Sequence, residues 1–390
     1  MPDKQRRSEY LKLFKWTLCA ALIYLAAAIH WWPAKPNQPV KVELLPFSNI
    51  PPSWDGSHPH LVISVVSGSK KPRFKSEISM VLPTVRHDSP VNQFEVDLHS
   101  GRFILRQTDL FVPDAMPLAL TRTYIAWDYH RRAFGVATNH PYDICPTGDH
   151  FPYTYMDMNL EDGSAVHMTR ISKGTSYADA VFRHADTASE FFGTQTAWNG
   201  NGWTMTFPDS RKFYFPDSYN TTSCAQGAPT RIENGKGDHV ELKRDPKRNL
   251  QELISPAGHR IAFKYDSSDR IVEATDDSGH TRRYFYDVSG HIDAITEGDN
   301  VLLRFEYAPL IREAGFDPWL LTRVLDGGWR VLLENKYVWG RVSEQKLADG
   351  QVFHYEYKLN DRGVLQTTVT MPERQQKVFA FRDGILTGVN

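Results

Sequence analysis

A 21-residue period in the second half of the chain restricts the fold more than any other feature. Arg244-Asp245, Tyr265-Asp266, Tyr286-Asp287 and Tyr307-Ala308 stand 21 positions apart. Leu242, Phe263, Tyr284 and Phe305 share the spacing, as do Leu250, Ile271 and Ile292, and Leu253, Ala274 and Ile295. Gly258 and Gly279 follow it too, with Asn300 in the third place. Each unit reads as two strands and two turns. The Tyr-Asp end makes one turn, where the carboxylate bonds its own backbone, and the Gly or Asn makes the other. Phe263 and Tyr265, two apart, point to one face of their strand. One unit cannot bury that face alone, so the array predicts a continuous sheet that curls. Stacked units are expected to bring Phe263, Tyr284 and Phe305 into one cross-strand aromatic ladder, and Tyr265, Tyr286 and Tyr307 into a second. Each such pair adds roughly 0.2–1 kcal/mol.

Strand and turn signals fill the rest of the chain without a convincing amphipathic helix. Between Thr196 and Pro216, Asn199-Gly200-Asn201-Gly202 and Pro208-Asp209-Ser210 separate three apolar runs, which predicts three strands joined by two turns. Ten Trp, 17 Tyr and 21 Phe make 12% of the 390 residues aromatic, a surplus that favours strands. A formal net charge of −1 argues against a nucleic-acid partner, which would call for a basic excess. The predicted class is all-β.

The first 33 residues differ from the rest. Lys4, Arg6, Arg7, Lys12 and Lys15 precede an uncharged run from Trp16 to Ile29, and Trp31-Trp32-Pro33 follows. Residues 16–32 would span roughly 26 Å as a helix, close to a bilayer core, with tryptophans at both interfaces. This predicts a single-pass anchor in the inner or cell membrane, with a cytoplasmic N-terminus and the bulk periplasmic or extracellular. Cleavage after Ala28 at an A-x-A site is the alternative and would give a secreted chain. Residues 33–39 read as a stiff Pro-rich linker. The predicted organisation is 1–33 tail and anchor, 34–90 linker and small β region, 91–230 a β region, and 231–390 the repeats. Cys19 falls in the anchor. Cys145 and Cys224 suit either a disulfide or two thiols outside the cytoplasm.

The stretch Phe263-Lys264-Tyr265-Asp266 through Gly279, then Tyr284-Phe285-Tyr286-Asp287, resembles the Tyr-Asp repeats of the Rhs/YD-repeat family. An upstream block is similar to the segment that opens Rhs cores: Gly101 in Ser100-Gly101-Arg102-Phe103, Asp109, Arg122 and Tyr124 in Pro117–Tyr124, and Gly135. The family continues there with Gly-x-Gly-Trp, whereas Val136-Ala137-Thr138 follows Gly135 here. The resemblance covers roughly Val91 to the C-terminus. It implies a wound sheet, which in full members spirals into a hollow shell around a C-terminal toxin. Full shells hold many more repeats. The self-cleavage motif Asp-Pro-x-Gly is not matched either: Asp245-Pro246 and Asp317-Pro318 are followed by Lys247 and Trp319, and neither has the Gly in place.

No catalytic motif is legible. His58 with His60, Cys145 with His150, and Asp276-Asp277-Ser278 lack the further partners that a metal site or a nucleophile needs. The reading is therefore no enzyme, no cofactor and no metal. Trp198, Trp203, Trp319, Trp329 and Trp339 offer flat faces that suit either sugar stacking or the sheet core. The expected function is structural: an exported, membrane-anchored partial Rhs-type shell or scaffold tied to toxin delivery or a contact-dependent system. Its partner would be a second Rhs-type or effector chain. A cell-surface module binding carbohydrate or protein is the alternative.

Overall fold

The computed structural model describes residues 41–43, 64–66, 91, 95–187, 189–309, 319–360 and 363–390. The chain divides into two units, Met1–Val81 and Leu82–Asn390. In the first, Lys41–Glu43 pairs antiparallel with Ser64–Val66, Val42 opposite Val65. The anchor expected at residues 16–32 lies outside the described residues. Among the described residues, no helix is long and apolar enough to cross a membrane.

The second unit is almost wholly β. Its main sheet has 22 strands, from Cys145–Gly148 to Ile385–Val389, each antiparallel to the next in sequence. The strand order is that of a barrel. The order is closed, with Ile385–Val389 next to Cys145–Gly148. The three strands expected between residues 196 and 216 are Gln195–Trp198, Gly202–Thr206 and Lys212–Pro216. Burial alternates along the repeat strands, as in His239–Arg244 and Arg260–Tyr265, so one face of each is dry.

Register explains the winding. The antiparallel ladder slips by one residue at Lys243/Arg244, Lys264/Tyr265, Phe285/Tyr286 and Glu306/Tyr307, which is once per 21 residues. A bulge bends its strand and increases the local twist. Repeated at the same end of every unit, it curls the sheet.

The expected aromatic ladders do not form. Each unit contributes two strands, so equivalent residues lie two strands apart, roughly 9.5 Å. Phe263 faces Ala274, Tyr284 faces Ile295 and Phe305 faces Val324 across their ladders. Asn300 is likewise not the third turn residue. It opens the strand Asn300–Pro309 opposite Glu297, and Gly298 takes the positive φ of +57°. At the first two places Gly258 and Gly279 hold φ of +90° and +87°, a conformation glycine adopts without strain.

A smaller antiparallel sheet, Ile104–Val112, Leu118–Ile125 and Thr138–Asn139, precedes the large one. Its core is shared with the repeats. Leu110, Leu118, Leu120, Phe103 and Phe134 pack in one buried cluster with Leu242, Leu253, Ile261, Phe263 and Tyr284. Residues 96–142 cover the buried face of the repeats. A second cluster, built on Met158, Met168, Phe182, Trp203, Met205 and Phe215, lies under the strands before residue 216.

Cys145, in the first strand of the large sheet, is disulfide-bonded to Cys224 in the short helix Cys224–Gly227, 79 residues on. Closing a loop of that length removes denatured-state freedom worth about 4 kcal/mol in the chain-entropy account. Cys145→Ser, or reduction of the native chain, should lower the unfolding free energy by about 2–4 kcal/mol. Urea titration with and without dithiothreitol measures it. An unchanged midpoint would mean the bond carries no stability.

Candidate functional site

The tyrosines of the repeats have one local task. The Tyr265 hydroxyl donates to the Leu250 carbonyl at 2.9 Å and that of Tyr286 to Ile271 at 2.5 Å. Tyr337 reaches Leu321 at 2.7 Å and Tyr357 reaches Val342 at 2.8 Å. Leu250, Ile271 and Val342 are the residues paired across the bulge with Arg244, Tyr265 and Tyr337 of the preceding unit. Each hydroxyl thus fastens one unit to the bulge of the last. Burial pushes the pKa of these hydroxyls up, so they remain donors. Tyr337 stands 30 positions after Tyr307, across the longer connection from Pro309 to Trp319, which is why the 21-residue phase loses it.

The aspartates close the turns. Asp266 Oδ1 accepts from the amides of Ser268 and Arg270, and Oδ2 from Arg270 Nε at 2.8 Å. Burial would raise its pKa, but these donors and the guanidinium hold it below the ordinary carboxylate range. Asp287 Oδ1 accepts from the amides of Ser289, Gly290 and His291. Arg244 takes the tyrosine place in the first unit, because the 141–143 turn lies beside it instead of another repeat. It bonds Asp143 Oδ1 at 2.8 Å and the Tyr142 carbonyl at 2.5 Å.

The residues of the opening motif converge on the repeats. The ladder between Ile104–Val112 and Leu118–Ile125 slips between Thr108 and Leu110, which leaves Asp109 as the bulged residue. Its carboxylate pairs with Arg122 Nε and accepts from Arg122 Nη2 at 3.0 Å and from the Tyr284 hydroxyl at 2.8 Å. Arg122 also bonds Gln107 Oε1 and lies over the rings of Tyr284 and Phe305. Both charged side chains are at most 4% exposed. Burial disfavours the Arg122 charge, but Asp109 outweighs it and raises the pKa. The Tyr124 hydroxyl accepts from the Leu321 amide, and its ring meets Tyr307 edge-on at 6.1 Å.

Two glycines allow the close approach. The Gly101 carbonyl accepts from the Val342 amide, and a Cβ there would stand 2.6 Å from Arg341 Cγ. At Gly135, with φ of +81°, a Cβ would stand 2.1 Å from the Gly290 carbonyl oxygen. Ala137 stands where the resembling family has its second glycine, and it is held at φ of +62°. Trp127 Nε1 donates to the Gly340 carbonyl at 3.0 Å, which adds another stitch. Next to it Asp128 is almost wholly buried. Burial would raise its pKa, but the His130 amide and ring and the Arg132 charge bring it down to about 2.

The tryptophans do not gather into one surface. Trp203 is 6% exposed and packs against Trp198 with ring centroids 5.3 Å apart. Trp329 and Trp339 are 62% and 61% exposed, and the Arg304 guanidinium covers the Trp329 ring at 4.3 Å. They flank opposite ends of the strand Val331–Val338, roughly 25 Å apart, too far to stack on one sugar. Trp319, 44% exposed, lines a cleft of about 440 Å3 with Asp287, Asp293, Glu306, Tyr307 and Thr322. Sequence reading missed this cleft, since its carboxylates come from a turn and two separate strands. Among the described residues no group of three or more His, Cys, Asp or Glu is placed to hold a metal ion.

Fold and site together define a wound, all-β body in which the Arg122–Asp109 and Arg244–Asp143 pairs are buried. Residues 94–168 match the family described as "Domain of unknown function (DUF6531)". Among curated proteins none matches the chain. Of solved structures, TcdB2-TccC3-TEV is similar at 12% identity and a TM-score of 0.28, covering 71% of this chain and 16% of that one. The Photorhabdus luminescens Tc holotoxin pore is similar at 13% identity and 0.23, again covering 71% and 16%. A porin-like protein from Bacteroides uniformis gives 11% identity and 0.19, covering 77% and 96%. The chain thus spans 16% of the Tc-toxin chains it matches.

Arg122→Met, which strands the buried Asp109 carboxylate, should cost about 3–5 kcal/mol. Tyr286→Phe removes one hydroxyl bond and should cost only about 1 kcal/mol. Equal losses in urea titration would refute the ranking. Ala137→Gly should be neutral or stabilise by up to about 1 kcal/mol, because it relieves a left-handed backbone. At buried Ala274 the same change should destabilise. For Asp128 the folded pKa lies below the unfolded value near 3.8. Its contribution, about 2 kcal/mol, is complete above about pH 5 and lost as the pH falls toward 2. Asp128→Asn should flatten that part of the stability-against-pH curve.

Proposed function

We propose that this chain is an exported scaffold of the Rhs/YD-repeat type, held at the membrane through residues 16–32, that works with a second protein chain in toxin delivery or a contact-dependent system. One observation carries the reading. Asp109 and Arg122 of the opening motif share a buried, hydrogen-bonded site with Tyr284 of the repeats. The two blocks of the resemblance therefore form one folded body, as a core of that family requires. The Cys145–Cys224 disulfide suits an oxidising compartment outside the cytoplasm. A catalytic role is not proposed, since the buried Arg122–Asp109 and Arg244–Asp143 pairs are saturated by their own partners. Carbohydrate binding would rest on Trp339, which stands exposed at a turn.

The test uses the full chain, tagged and expressed at native level in its own cells. Alkaline carbonate should leave it in the membrane pellet, and release of the intact chain would refute the anchor. After mild solubilisation and cross-linking it should co-purify with a second exported chain in fixed stoichiometry. Recovery of a lone monomer would overturn the scaffold reading. A glycan array with Trp339→Ala as control decides the sugar alternative.

A further inference from the structure

A charge buried in a folded chain needs a partner, because a bare one gives up its solvation for nothing. Arg122 meets that need with Asp109, and the Arg244 side chain with Asp143. Two further arginines do not. Arg102 is 5% exposed and Arg341 8%. Among the described residues neither guanidinium makes a hydrogen bond or an ion pair, and the Nε of each is shut away from solvent without an acceptor.

The fold brings the two side chains together. Arg102 ends a turn in which the Gly101 amide bonds the Asp97 carbonyl and the Asp97 amide bonds that of Arg102. Arg341 opens the strand Arg341–Leu347, and the next amide, that of Val342, donates to the Gly101 carbonyl at 2.9 Å. The stem of Arg341 lies against Gly101, where a Cβ would stand 2.6 Å from its Cγ. The carboxylates that act on Arg102 are engaged elsewhere. Asp97 Oδ1 accepts from the amides of His99 and Ser100, and Asp128 is paired with His130 and Arg132. Burial lowers the Arg102 pKa, Asp97 and Asp128 offset this only in part, and the Arg341 charge adds to it. Burial lowers the pKa of Arg341 as well. Two like charges thus stand in one another's field with no carboxylate bonded to either.

Neighbouring guanidinium forks match an oxyanion, which takes N–H donors from both at once. A halide is a single point of charge and cannot use the forks. Burial sets the size of the ligand, since a folded partner or a polymer cannot reach two heads of so little exposure. We propose that Arg102 and Arg341 together bind one small oxyanion of the phosphate type, which ties the turn at residues 97–102 of the opening motif to the strand that starts at Arg341. Such a site would serve the chain with or without a partner, so it stands apart from the scaffold reading above.

The test uses the full chain, purified in detergent and dialysed into a buffer poor in inorganic anions. Inorganic phosphate is the probe, titrated by calorimetry beside potassium chloride of equal ionic strength. Phosphate should bind once per chain and saturate, and chloride should not. A ligand held only by the native state raises its melting temperature, so the melt should climb and level off over the same phosphate range. Arg102→Met and Arg341→Met should each lose roughly tenfold or more in phosphate affinity. Arg341→Lys, which keeps the charge without the fork, should lose several-fold. Without phosphate the methionine variants should melt no lower than the native chain, because they remove a bare buried charge. Hydrogen exchange on the native chain needs no variant. Phosphate should slow the amides of residues 97–104 and 341–347 and leave the strands Tyr155–Asn159 and Ala165–Arg170 unchanged. The absence of saturable phosphate binding, or an equal response to chloride, overturns the proposal. So does undiminished binding by either methionine variant, or protection that falls elsewhere in the chain.

Discussion

The repeat sheet has one dry face, and the structure depends on what covers it. A single curled layer cannot bury that face against itself, since its strands wind around a space too wide for their own side chains to fill. Residues 96–142 supply the missing layer. They bring Leu110, Leu118, Leu120 and Phe134 against Ile261, Phe263 and Tyr284. They also bring backbone bonds: the Ile271 amide donates to the Ala133 carbonyl, and the Val136 amide to that of Gly290. The Arg122–Asp109 pair fixes the alignment. A buried ion pair adds little net stability over apolar packing, but a misaligned one leaves a bare charge in the core. Only one docking of the small sheet places Asp109 under the Tyr284 hydroxyl.

Curvature has a local cause that propagates. The bulge facing each tyrosine bends the following strand, and the hydroxyl of the next tyrosine then bonds the carbonyl opposite the previous one. A tyrosine suits the place because its hydroxyl must reach a carbonyl of the adjacent strand beyond the end of their ladder while its ring stays in the core. The first unit shows the rule by exception. Arg244 lies beside the 141–143 turn, and a longer side chain with several donors takes Asp143 and three backbone carbonyls instead.

Much of this was legible in the sequence, and the failures have physical reasons. The Asp turns and the glycine turns at residues 258 and 279 follow from local backbone chemistry, which a period exposes directly. The aromatic ladders failed because a 21-residue unit holds two strands, so equal residues are never nearest neighbours. Asn300 failed because a two-residue hairpin at Gly298 moved the turn without disturbing the strand phase. Tyr337 and Tyr357 escaped notice because the connection after Pro309 breaks the period, although the hydroxyl bonds continue through it. Ala137 was visible as a departure from the family pattern, and the fold keeps the left-handed turn regardless.

The sequence by itself determined the class of fold, the unit length and the chemistry of each turn, because these depend on residues within about ten positions of one another. Tertiary structure alone decided that the opening motif packs on the dry face of the repeats, that Cys145 meets Cys224, and that Asp287, Asp293 and Glu306 share one cleft. Those contacts join residues from separate strands, turns and the short helix. Their proximity is set by how far the sheet curls, a sum of small bulge angles that no local pattern records.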